Sequence, residues 1–227
     1  MRIGFLVFPN IMQLDLTGPF EVLAQLPDAE MHLVWKDTAP LRASCGLLLQ
    51  PTTRFADCPQ LDIVCVPGGG GMNALLTDDE ALAFIRAQAA KARYITSVCT
   101  GALVLGAAGL LRGRRAATHW MSMEFLPAFG AIPVHERVVV DGNVITGGGV
   151  TAGIDFGLRV VAEIAGEEAA RSIQLGIEYD PHPPFDSGHP RSASADIVQA
   201  ATMKAGSRQE ARRAQVIQAA AALNAHG

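Results

Sequence analysis

The stretch Tyr94-Ile95-Thr96-Ser97-Val98-Cys99-Thr100-Gly101-Ala102-Leu103-Val104-Leu105-Gly106 changes character at its middle. Tyr94–Val98 reads as a short buried strand, and the run from Gly101 reads as the start of an apolar helix. A strand feeding straight into a helix is the building unit of an α/β fold. Cys99 falls on the sharp turn between the two, with helix amides directed at it. A helix N-terminus favours negative charge, so this setting favours thiolate over thiol. That is the environment of an activated nucleophile. Free cysteines also fill space in cores, and the local sequence alone is consistent with either role.

Reading outward, Ile3–Phe8 is a continuous apolar run, typical of a strand covered on both faces. A helix is expected from Asp15 to Leu26, with Phe20, Val22, Leu23 and Leu26 on its core side. Met31–Trp35 and Asp62–Val66 read as further strands, and residues 42–50 as an extended arm or hairpin. Asp78 reads as the N-cap of a helix reaching Lys91. Val138–Thr146 reads as a hairpin turning at Asp141-Gly142, and a helix should start near Thr151. Strands alternating with helices imply a mainly parallel sheet with helices on both faces. Such sheets bind ligands beyond the carboxyl ends of their strands. The loop after Phe8, the Gly68–Gly71 loop, the Cys99 turn and the Gly147–Gly149 loop all sit at such ends, so they should converge.

Each candidate has an ordinary reading beside the chemical one. Gly68–Gly71 lacks the Lys-Ser/Thr of a P-loop, so it is either a bare-amide turn facing a reacting atom or a plain connection. Gly147–Gly149 permits close backbone approach or simple flexibility. Asp15, at a helix start, reads first as an N-cap. Thr100 occupies the place where many cysteine hydrolases of similar architecture carry a His base, which argues against amide hydrolysis. His119, beside Trp120, reads mainly as a packed, hydrogen-bonded residue. The Pro-rich loop from Tyr179 to Pro190 is long enough to suggest function. An Ala-rich helical tail runs from about Ala193 to Leu223.

The 227 residues, 49% apolar, suit one large α/β domain or two small ones, and the formal charge of −4 gives no electrostatic case for nucleic acid or an anionic membrane. No apolar run reaches the ~18 residues of a membrane helix, and the N-terminus lacks an export signal. The four cysteines (45, 58, 65 and 99) show no metal or redox spacing, and no His pair sits at ligand spacing. Free thiols in a reducing cytoplasm are therefore expected.

Leu14–Leu23, Pro67–Gly71, Ser97–Ala102 and Ala117–Trp120 together resemble the DJ-1/PfpI superfamily over nearly the whole chain. The resemblance implies a flavodoxin-like α/β sandwich with a mainly parallel central sheet and helices on both faces. It implies a single domain over 1–227, with a C-terminal helical extension from about 193, and a homodimer. Cys99 then matches the elbow nucleophile. Regulators of the AraC type share the Cys99–Gly101 turn but append a DNA-binding domain for which there is no room after Ala193. Glyoxalases, deglycases and redox sensors of the superfamily use a Glu near the thiol, where this chain has Asp15. With Asp15, Thr100, the Gly147–Gly149 loop and Pro183–Gly188, the chain most resembles the isocyanide hydratase branch. That likeness implies a small-molecule isocyanide substrate, Cys99 as nucleophile, Asp15 as general acid and base, and Thr100 in support. Gly70, Gly148 and Val150 are the expected backbone-amide or substrate contacts, with no metal, organic cofactor, nucleic acid or membrane involved.

Overall fold

A computed structural model describes residues 1–225. Its strands are β1 (Arg2–Leu6), β2 (Glu30–Trp35), β3 (Leu41–Arg42), β4 (Leu48–Leu49), β5 (Thr53–Arg54), β6 (Ile63–Val66), β7 (Tyr94–Val98), β8 (Arg115–Ala116), β9 (Ile132–Pro133), β10 (Val138–Asp141) and β11 (Val144–Gly147). Its α-helices are α1 (Gln13–Leu23), α2 (Met72–Leu75), α3 (Asp79–Ala89), α4 (Gly101–Ala107), α5 (Ala152–Ala165), α6 (Glu167–Gly176) and α7 (Ala195–Ala225). A 3₁₀ helix spans Trp120–Phe129.

The central sheet has seven strands in the order β10-β11-β7-β6-β1-β2-β5. Every pairing is parallel except the β10–β11 hairpin. The expected α/β sandwich is therefore present. β1, β6 and β7 bury nearly every residue, as strands covered on both faces must. Helices α1 and α5 pack on one another and α6 on α5, while α3, α4 and α7 make the second layer with the 3₁₀ helix. The segment expected as an arm is the short antiparallel β3–β4 hairpin. Asp78 caps α3 as read, its carboxylate accepting from the Ala81 N–H at 3.1 Å. Among the described residues, no helix is long and apolar enough to cross a membrane.

From β1 the chain moves outward through β2 and β5, then returns to β6 on the other side of β1. That reversal places a topological switch point between the carboxyl ends of β1 and β6, where such sheets form their binding crevice. β7 is the next strand along, and its elbow is pressed close to β6. A Cβ on Gly101 would lie 1.9 Å from the Val66 carbonyl oxygen. The obstacle is backbone, so it cannot swing aside. We expect Gly101→Ala to cost about 3 kcal/mol of unfolding free energy. Urea denaturation measures this, and a loss well below 1 kcal/mol would show that the elbow does not sit against β6.

Candidate active site

The four strand-end loops converge as anticipated. Main-chain bonds join the first two: Met12 N–H donates to Gly68 O at 2.9 Å, and Gly71 N–H to Asn10 O at 3.2 Å. The Gly69 N–H donates to Thr100 Oγ1 at 3.1 Å, joining the glycine loop to the elbow. The Cys99 N–H donates to Gly148 O at 2.8 Å, joining the elbow to the fourth loop.

Cys99 has φ +57°, in the left-handed region that costs a residue with a Cβ about 1–2 kcal/mol. It is held there from both sides. Its N–H goes to Gly148, and its carbonyl accepts from Thr118 Oγ1 at 2.7 Å. Strain of this kind, over-determined by its surroundings, marks a position where side-chain direction matters. The amides of Val150 and Thr100 are directed at the sulfur.

Asp15 faces the same sulfur. It is not the N-cap that its place in the sequence suggested. α1 begins at Gln13, Asp15 lies inside the first turn, and its side chain is fully buried. Its carboxyl leaves its own helix: Oδ2 accepts from the Gly68 N–H at 3.0 Å. Oδ1 is buried with no hydrogen-bond partner among the described residues. Burial raises the Asp15 pKa from 3.8 to about 7, against the lowering effects of the thiol and the Gly68 amide.

The thiolate-favouring reading of the elbow needs correction. Burial, and then the charge of Asp15, push the Cys99 thiol up, although the Val150 and Thr100 amides pull it down. The helix-start amides are present, but desolvation outweighs them. What the site holds is a coupled pair. With one proton between the two groups, it is either thiol and carboxylate or thiolate and carboxylic acid. The Val150 and Thr100 amides favour the second arrangement. The unpartnered Oδ1 is where its proton would reside, because Oδ2 already accepts from Gly68.

Of the three expected backbone positions, Val150 meets the sulfur. Gly148 contributes its carbonyl instead, since its N–H donates to Arg137 O at 2.8 Å. Gly70 is not brought to the pair. Gly68, the first glycine after β6, is, through its N–H to Asp15, while the Gly69 N–H goes to Thr100 beside the pair. A Cβ on Gly68 would fall 2.5 Å from Thr100 Oγ1 and 2.8 Å from Asp15 Oδ2, so only glycine fits there. Thr100 sits at the junction, its hydroxyl accepting from Gly69.

His119 Nδ1 accepts from the Met121 N–H at 3.3 Å, and the ring stacks on Trp120. Burial, with the Arg212 and Arg208 charges, lowers its pKa to about 4, so it is neutral at pH 7. It lines a cleft of about 580 Å³ with Trp120, Met123, Arg137, Val150 and His189. That volume suits a small molecule. Cys99 and Asp15 are not part of the cleft wall, but Val150, whose amide meets the sulfur, is. Gly188 and His189 of the Pro-rich loop, with Arg191 and Ser192 just after it, line one side. Among the described residues, no group of three or more His, Cys, Asp or Glu side chains converges to hold a metal ion.

The sequence profile described as the DJ-1/PfpI family matches residues 1–163. The chain belongs to the DJ-1/PfpI family. It is 57% identical to an isonitrile hydratase of Pseudomonas putida over 224 residues, 99% of this chain and 98% of that one. The crystal structure of a THiJ/PfpI family protein from Pseudomonas syringae superposes with a TM-score of 0.92 at 43% identity, covering 95% of this chain and 90% of that one. A helix-turn-helix-type transcriptional regulator of Pseudomonas aeruginosa, GbdR, is 32% identical over 78% of this chain but only 50% of its own length. The DJ-1/PfpI match contains Asp15, the glycine loop, the elbow and Val150, whereas α6, the Pro-rich loop and α7 lie beyond it.

Proposed function

We propose that this protein is an isocyanide (isonitrile) hydratase, adding water to R–N≡C to give the formamide R–NH–CHO. The observation that carries the reading is the buried Cys99–Asp15 pair, with a carboxyl whose pKa lies near 7 facing an elbow thiol. Near full-length likeness to the P. putida isonitrile hydratase supports it.

The chemistry needs a nucleophile and one proton carrier. In the reactive arrangement Cys99 is a thiolate and Asp15 a carboxylic acid. Sulfur bonds to the terminal carbon of the isocyanide while Asp15 delivers its proton to that carbon. The product is a thioimidate, R–N=CH–S–Cys99, with Asp15 now ionised. The carboxylate next takes a proton from water as the water oxygen bonds to the imidate carbon. Asp15 passes this proton to nitrogen, giving R–NH–CH(OH)–S–Cys99. The C–S bond then breaks, sulfur leaves as thiolate, the carbonyl forms, and the hydroxyl proton returns to Asp15. One carboxyl acts as acid, base, acid and base in turn, which returns it to its starting state and suits a pKa near the working pH. The Val150 and Thr100 amides steady the departing sulfur, while Gly68 fixes the carboxyl. His119, neutral at pH 7, is not asked to move a proton.

The remaining expectations belong to the same proposal: one domain with a C-terminal extension, acting on its substrate as a cytoplasmic homodimer without metal or organic cofactor.

The direct test is to mix purified protein with an aryl isocyanide and follow formamide by NMR. Acid quench during turnover should trap Cys99 carrying the mass of one isocyanide. Absence of both formamide and adduct from folded protein would overturn the assignment.

A further inference from the structure

Arg212 is buried, at 9% exposure, yet no carboxylate pairs with it among the described residues. Its neighbour Arg213 takes the available partner, Glu124, at 2.8 Å. Arg212 is held entirely by neutral groups. Nε donates to Asn73 Oδ1 at 3.1 Å, and Nη1 donates to Ser122 Oγ at 2.9 Å and Gln209 Oε1 at 3.1 Å. A buried guanidinium normally finds an anion, because desolvating a charge is costly unless another charge offsets it.

The position of those partners explains the exception. Asn73 is on α2, directly after the Gly68–Gly71 loop, and its N–H donates to Gly70 O at 3.4 Å. Ser122 N–H donates to His119 O at 2.7 Å. His119 follows Thr118, whose hydroxyl holds the Cys99 carbonyl. Arg212 thus ties α2, which follows the glycine loop, to the 3₁₀ helix, which follows His119, from a helix outside the 1–163 family match. Burial, and after it Arg208, lower the Arg212 pKa while Cys99 acts to raise it, and the Arg212 charge in turn helps to lower that of His119.

We infer that α7 supplies Arg212 as a positioning residue for the nucleophile, its unpaired positive charge favouring the anionic state of the Cys99–Asp15 pair. The anion that this arginine lacks in its own surroundings is the one the reaction requires. The inference rests on the hydratase reading for its purpose but not for its electrostatics. Other groups around the sulfur act on the same equilibrium. Asp15 on α1 opposes ionisation of the thiol, and Cys65 on β6 is itself pushed up to about 12. His119 is uncharged at neutral pH, and Arg208, exposed on α7, is a further positive charge that acts on His119 and on Arg212 itself. Arg212 is the buried cation of this set.

The test is the pH dependence of Cys99 alkylation by iodoacetamide in the full chain, read at the Cys99 peptide by mass spectrometry. Arg212→Met should move the half-reaction point upward by about one pH unit. It should also lower kcat/KM for an aryl isocyanide about tenfold at pH 7, with the loss shrinking as pH rises. Arg212→Lys, which keeps the charge, should titrate within a few tenths of a unit of the wild type. A folded Arg212→Met protein whose Cys99 titrates like the wild type overturns the inference. If Arg212→Met does not fold, Arg212→Gln, which removes the charge but keeps a hydrogen-bonding side chain, decides: an upward shift of about one pH unit supports the role of charge, and an unmoved titration overturns it. An Arg212→Met shift in a protein that turns over no isocyanide would leave the electrostatic role standing and remove the hydratase reading. Turnover with an unmoved titration would do the reverse.

Discussion

Cys99→Ala will fold and lose isocyanide turnover by roughly 10⁴-fold or more, because the covalent step has no other nucleophile in reach. Among the other thiols, Cys65 is buried within β6, Cys58 is raised to about 11, and Cys45 is exposed on the β3–β4 hairpin. None faces Asp15 from the elbow. The fold should tolerate the change. Alanine meets the same left-handed φ as cysteine, and the main-chain bonds to Gly148 and Thr118 do not involve the sulfur. A stability change within about 1 kcal/mol is expected. Formamide production by Cys99→Ala, set against wild type with Cys45→Ser and Cys58→Ser as active controls, checks the assignment. Residual activity within tenfold of wild type would mean that water adds without a thioimidate, leaving Cys99 a structural role.

The parts of this site differ in how far local sequence exposes them. Tyr94–Val98, the Cys99 turn and the helix from Gly101 were legible because an apolar strand, a turn and a helix each leave a pattern within a few residues. The Asp78 cap was legible for the same reason. Asp15 was legible only through the family resemblance, because a carboxylate in a first turn looks locally like a cap, and its partner Gly68 lies 53 residues away. The glycine loop could be placed, but not which of its amides points inward. That depends on the meeting of β6 with the elbow, so Gly68 reaches Asp15, Gly69 reaches Thr100, and Gly70 reaches neither. The rise of the thiol's pKa depends on complete burial, which no single segment reveals. α6 was overlooked where only the positive φ of Gly166 divides it from α5. Arg212 had the weakest signal of all. In an Ala-rich tail it resembles Arg208 and Arg213, and only the docking of α7 on the 3₁₀ helix sets it apart.

Asp15→Asn will lower kcat by about 10²–10⁴-fold, and it will also flatten the dependence of stability on pH. The two effects have one cause. An asparagine can still accept from the Gly68 N–H through its oxygen, which turns its NH₂ toward the thiol. That group can donate a hydrogen bond but cannot give up a proton to the isocyanide carbon or take one from water. The stability effect follows from linkage. In the folded wild type, Asp15 holds its proton up to about pH 7, whereas in the unfolded chain it releases it near 3.8. Between those values the folded state binds more protons than the unfolded state, so unfolding free energy falls as pH rises. At 1.36 kcal/mol per pKa unit, the shift from 3.8 to about 7 amounts to about 4 kcal/mol, lost between roughly pH 4 and 7. Asparagine does not titrate, so urea unfolding of Asp15→Asn should lack this decline and exceed the wild type most clearly at pH 7 and above. Parallel stability curves for the two proteins would mean that Asp15 ionises as freely in the fold as in water. That would also remove the reason for giving it the proton that the isocyanide carbon receives.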